Sequence, residues 1–137
     1  MSGPVALGGI HHITLTVSNI AASSDFYERH FGFRTLLDLG VRRVMSNGSI
    51  ILGITLPADA AAAIPTGDRF SENRVGLDHV SFSVGSHAEM EAAAAYLDEQ
   101  GVIRGEIRDL GGALRIYVMA VRDPDNIQLE LTAPYGA

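Results

Sequence analysis

The sequence predicts an α+β fold of two βαβββ modules, with a curled mixed sheet and helices on its convex side. Two observations carry this. The segment GIHHITLTV, Gly9 to Val17, returns as GLDHVSFSV, Gly76 to Val84, with a histidine at the fourth place of each. The residues after each copy are also alike: a helical pattern and then material rich in strand formers, the sign of a duplicated unit. One domain is expected over 1–137, with modules at 9–57 and 76–134 and a linker at 58–75.

The first strand of each module alternates. Ile13, Leu15 and Val17 form an apolar face against His12, Thr14 and Thr16, and Val80, Phe82 and Val84 oppose His79, Ser81 and Ser83. The first helix is read in SNIAASSDFYERHFGF, capped by Ser18 or Asn19, with Ile20, Tyr27 and Phe31 as its stripe. The second is read in GSHAEMEAAAAYLDEQGV, where Ser86 and Glu89 make a capping-box pattern and Met90, Ala94 and Leu97 recur at helical spacing. Gly32 and Gly101 stand where a left-handed residue closes a helix. Strands are then expected in RTLLDLG, RRVMSNG and SIILGITLP, and again in VIRGEIRDL, LRIYVMAV and NIQLELTAP.

The last hairpin is the most explicit. Asp123 to Asn126, DPDN, suits a type I turn followed by a left-handed Asn. That geometry pairs Asp123 with Ile127 and sets Glu130 opposite Ala120, with Val118 and Ile116 on the same face. The linker PADAAAAIPTGDRFSENRV allows one helical turn in its alanine run, and Arg69, Glu72 and Arg74 read as a solvated surface.

The modules also match at their ends: LGITLP, from Leu52, aligns with LELTAP, from Leu129, which sets Gly53 opposite Glu130. The duplication therefore defines four equivalent slots, held by His12, Gly53, His79 and Glu130. Histidine on a strand is more often structural, and an edge glutamate is more often solvated. Three such residues in repeat-defined slots point instead to a divalent metal held by two imidazoles and a carboxylate, with positions open for water or substrate. Gly53 leaves the fourth slot without a side chain. Thr14, Ser81, Gly53 and Gln128 are the candidate substrate-contacting positions on the polar face, and no catalytic acid or base is assigned. His11 is expected on the face opposite His12, and His30 and His87 at exposed helix ends.

Composition narrows the classes. The 137 residues are 47% hydrophobic and 19% charged, and a net charge of −6 offers no basic patch for nucleic acid or an anionic membrane. With no cysteine, thiol catalysis and Cys-bound zinc are excluded. The start, MSGPVALGGI, lacks the charged and apolar regions of a signal peptide, and no run reaches the ~20 apolar residues of a membrane helix. A cytoplasmic location is expected.

The segments HHITLTVSNIAASSDFYERHFGF, GLDHVSFSV and RDPDNIQLELTAP resemble the vicinal oxygen chelate superfamily across essentially the whole chain. That group includes glyoxalase I, extradiol dioxygenases, methylmalonyl-CoA epimerase, fosfomycin thiol transferases and bleomycin-resistance proteins. The resemblance implies metal ligation by His12, His79 and Glu130. Where glyoxalase I and the epimerase have a fourth ligand, this sequence has Gly53. The resemblance thus implies a three-ligand enzyme acting on a small substrate with vicinal oxygens, first a ring-cleaving dioxygenase using Fe2+, with Mn2+, Zn2+, Ni2+ or Co2+ as other ions. The alternatives are a glyoxalase-like isomerase, a fosfomycin-type thiol transferase, or a metal-free drug-binding protein. Thr14 matches a substrate-contacting threonine of the transferases, whereas a family tyrosine is replaced by Ala120. The resemblance also implies a homodimer with sites at the module interface, where His12 meets His79 and Glu130 either within one chain or across the two subunits.

Overall fold

The computed structural model describes residues 3–59 and 64–136. The chain divides into two compact units, Met1–Ile64 and Pro65–Ala137. The alanine run at 60–63, for which the sequence allowed a helical turn, lies outside the described residues.

The first unit runs β1 (Ile13–Thr16), α1 (Ile20–Phe31), β2 (Arg34–Asp38), β3 (Arg42–Ser46) and β4 (Ile51–Thr55). Its sheet has the order β1-β4-β3-β2, with β1 parallel to β4 and the other neighbours antiparallel. Helix α1 begins because Asn19, in extended conformation, accepts a hydrogen bond from Ala22 N at 2.9 Å. It ends because Gly32 turns left-handed at φ 70°. Its inward stripe, with Phe26 and Tyr27, joins Leu15, Val17, Phe33, Met45, Leu52 and Ile54 in the core of the unit.

The second unit repeats the plan: β5 (Val80–Ser83), α2 (His87–Glu99), β6 (Arg108–Leu110), β7 (Ile116–Arg122) and β8 (Gln128–Pro134), in the order β5-β8-β7-β6. Ser86 Oγ accepts from Glu89 N at 3.1 Å as the capping box predicts, but the Glu89 carboxylate reaches back to Gly85 N, one residue further than the motif implies. Gly101 is left-handed at φ 69°, one residue past the cap at Gln100. Met90, Ala94 and Leu97 pack with Met119, Val121, Leu129, Leu131 and Ala133, all buried.

Each unit thus carries one four-stranded mixed sheet and one helix, the βαβββ plan read from the sequence, and neither sheet closes. Strand β6 is shorter than the sequence pattern suggested. Upstream of it only Arg104 forms a bridge, to Val121, and no ladder links that bridge to Arg108. The DPDN turn forms as expected: Asn126 N bonds Asp123 O at 2.9 Å, Asn126 has φ 65°, and Ala120 pairs with Glu130.

Three side-chain expectations need correction. Glu72 is not part of a solvated surface. It makes a two-pronged ion pair with Arg122, at 2.7 and 2.9 Å, because the planar guanidinium fork matches a carboxylate edge. His87 is half-buried, its ring centroid 4.3 Å from that of Tyr117, and His30 packs edge-on against Phe26 at 5.0 Å. Both imidazoles are sheltered by an aromatic neighbour that covers one side of the ring.

Candidate metal centre

Registers give the candidate slots their geometry. In the first unit Thr14 pairs with Gly53; in the second Ser81 pairs with Glu130. Gly53 and Glu130 are therefore equivalent positions of two parallel ladders. His12 and His79 each stand one residue before the strand that carries Thr14 or Ser81.

In the second unit His79 Nε2 lies 3.5 Å from Glu130 Oε1. That is too long for a strong hydrogen bond. It matches two donors that share one ion, since atoms ~2.1 Å from a common metal at tetrahedral angles stand roughly 3.4 Å apart. His79 Nδ1 lies 2.7 Å from Asp78 Oδ1. A carboxylate only accepts, so Nδ1 carries a proton, and in the neutral ring Nε2 offers its lone pair. Glu130 is held too: its Oε1 accepts from Thr132 Oγ1 at 3.3 Å, and Thr132 Oγ1 is in turn hydrogen-bonded to Ser81 Oγ. An imidazole and a carboxylate, each backed by a second group, are the donor types a divalent cation takes.

Asp78, His79, Gln128 and Glu130 line a cleft of about 200 Å³ within this unit, together with Gly105, Glu106, Arg108, Val118 and Ala120. The apolar wall of Val118 and Ala120 is the one expected from the hairpin register. Arg108 and Glu106 make no side-chain hydrogen bond or ion pair among the described residues and bring opposite charges to the rim.

In the first unit His12 is exposed, and its Nδ1 lies 2.9 Å from His11 Nδ1 with the rings edge-on. His11 is thus beside His12, not on the opposite face, because both precede the strand and its alternation does not yet apply. For His12 to present a bare Nε2, its Nδ1 donates to His11. Thr14 is exposed, and its Oγ1 and Cγ2 cover the place where a Cβ on Gly53 would stand, at 2.7 and 3.2 Å. Gly53 is therefore closed over by Thr14, not open.

Within each unit taken alone, no three His, Cys, Asp or Glu side chains of the described residues gather as a metal cluster. The second unit brings His79 and Glu130 together as a two-donor edge.

Sequence reasoning missed Asp78, Thr132 and the Glu72–Arg122 pair. Asp78 had a signal in being adjacent to His79, and Thr132 in sharing a strand face with Glu130. Nothing local marks Glu72, fifty residues from Arg122 in the chain.

A duplicated βαβββ plan, with one mixed sheet and one helix in each unit, defines an α+β class of proteins. A model of the Glyoxalase/Bleomycin resistance protein/Dioxygenase superfamily matches residues 9–131, and the chain belongs to that superfamily, the vicinal oxygen chelate group. The metallothiol transferase FosB of Staphylococcus haemolyticus is 31% identical over 125 residues, 90% of this chain and 81% of that protein. A glyoxylase/bleomycin resistance protein/dioxygenase domain from Frankia sp. EAN1pec shares 25% identity at a TM-score of 0.74, over 96% of both chains. A lactoylglutathione lyase from Agrobacterium tumefaciens shares the fold, at 19% identity and a TM-score of 0.69, over 99% of this chain and 100% of that one. Among the described residues, no helix is long and apolar enough to cross a membrane.

Proposed function

We propose that this chain is a divalent-metal-dependent enzyme that binds a small substrate through two neighbouring oxygen atoms. His12, His79 and Glu130 are the ligands, and Fe2+ is the first choice of ion. The observation that carries the reading is the His79–Glu130 edge, with Nδ1 on Asp78 and Nε2 3.5 Å from Oε1. When bound, the ion would polarise the substrate oxygens and stabilise the anion that develops on them. The chain's own part is to hold Nε2 unprotonated, to aim Glu130 through Thr132, and to shelter one side of the cleft with Val118 and Ala120. Thr14 and Ser81 occupy equivalent positions of the two ladders and are the candidate substrate contacts.

Ring-cleaving dioxygenation is supported by the two-histidine, one-carboxylate ligand set. Thiol transfer to an anionic substrate is favoured by a different observation: Arg108 faces the cleft without an ion-pair partner among the described residues, and FosB is a 31% identical relative. Oxygen uptake with candidate catechols, set against turnover under anaerobic conditions, separates the two.

The metal itself is tested by elemental analysis after loading with Fe2+, Mn2+ or Zn2+. Wild type is expected to retain ion and His79→Ala to lose it. If wild type holds no more metal than His79→Ala, the metal-enzyme reading fails, and a protein holding no ion at all would be left as a metal-free drug-binding module. The homodimer belongs to this reading, and light scattering should return twice the mass of the chain.

A further inference from the structure

A continuous chain of polar contacts leads away from His79 into the second unit. Asp78 Oδ1 accepts from His79 Nδ1 at 2.7 Å and also from Gln128 Nε2 at 2.9 Å. Gln128 Nε2 donates to Asp78 O as well, at 3.2 Å, while Gln128 Oε1 accepts from Arg122 Nη2 at 3.4 Å. The orientation of this amide is dictated by chemistry, because the guanidinium can only donate and the carboxylate can only accept. Arg122 is held by the two-pronged pair to Glu72 and by a bond from Nη1 to Asn126 O at 3.2 Å.

Asp78 is 63% exposed. An aspartate so open to water would sample several rotamers unless something fixed it. Gln128 does so with two bonds, and Arg122 fixes Gln128. Glu72 has a distinct task. Without it, Arg122 would be a cation freed beside an unneutralised Asp78, and would compete with His79 for that carboxylate.

We propose that Asp78, Gln128, Arg122 and Glu72 are positioning residues for the metal, setting the tautomer and ring plane of His79 and coupling metal affinity to the segment that carries Glu72. The inference rests on the reading of His79 as a ligand. It also gives Gln128, a candidate substrate contact, a second task in holding Asp78.

Two measurements on the full chain test it. The first is the long-range 1H–15N spectrum of the metal-free protein, recorded well above the ordinary histidine pKa. Wild-type His79 is expected as the Nδ1–H tautomer, and Asp78→Ala as a mixture dominated by Nε2–H. The second is titration with Co2+ followed by its visible absorption. Asp78→Ala should weaken binding by about 10–100-fold. Asp78→Asn, which keeps an acceptor oxygen, should recover part of that loss, and Glu72→Gln should show a smaller loss of the same sign. An unchanged tautomer in Asp78→Ala, or wild-type Co2+ affinity in that variant while His79→Ala binds none, overturns the proposal. If wild type binds no more Co2+ than His79→Ala, the ligand reading falls, and the tautomer spectrum still decides the role of Asp78.

Discussion

Gly53 is buried in β4, and a methyl group added there would lie 2.7 Å from Thr14 Oγ1 and 3.2 Å from Thr14 Cγ2. Threonine is β-branched and stiff at χ1, so it cannot simply swing aside. Gly53→Ala should therefore destabilise the protein by about 1–3 kcal/mol, as overpacking does. In a Thr14→Ala background the two closest atoms are gone, and most of that cost should vanish. Urea unfolding of both single variants and the double variant gives the coupling, and strict additivity would show that Thr14 is not the obstacle. A glutamate at position 53 would first have to displace Thr14.

At the scale of an element, the β7–β8 hairpin decides what faces Glu130. Asp123, buried in the turn, accepts from Asp125 N at 2.8 Å and Ile127 N at 2.9 Å, while Asn126 takes the left-handed conformation at φ 65°. Asn126→Val should cost about 1–2 kcal/mol, since a Cβ-branched residue is poorly tolerated there, and Asn126→Gly should cost less. Equal thermal midpoints for the two variants would deny the turn this role. The hairpin was legible in DPDN because its chemistry is local, and with it the pairing of Ala120 with Glu130. The parallel pairings of β1 with β4 and β5 with β8 were not legible: the repeat fixes which positions are equivalent, but not which strands are neighbours. The length of β6 was not legible. VIRGEIRDL alternates well enough for a full strand, but whether its backbone groups meet β7 depends on contacts far away in sequence. His11 was misplaced for a related reason: alternation was extended upstream of the first ladder residue.

At the scale of the whole molecule, the acidic groups and the histidine with displaced pKa values all act in one direction on acidification. The hydrogen bond from Arg122 holds the Glu72 carboxyl down at about 2, against an ordinary 4.5. Asp98 is lowered by its hydrogen bond with Arg104. His30 is lowered from 6.5, first by burial and then by the nearby Arg29 charge. A carboxylate whose pKa is depressed by folding stabilises the fold above its unfolded value, and that contribution disappears as pH falls toward the folded value. A histidine with a depressed pKa is favoured neutral in the fold, so protonation begins to favour unfolding once pH drops below 6.5. Stability should accordingly decline in two stages, first below 6.5 through His30 and then below 4.5 through Glu72, joined below 3.8 by Asp98. Denaturant midpoints measured from neutral pH downward would resolve them. His30→Gln should flatten the first stage. The gap between wild type and Glu72→Gln should be widest at neutral pH and close as pH approaches 2. A gap that stays constant throughout would mean that the Glu72–Arg122 pair does not bind the 70–72 segment to the β7–β8 hairpin through charge.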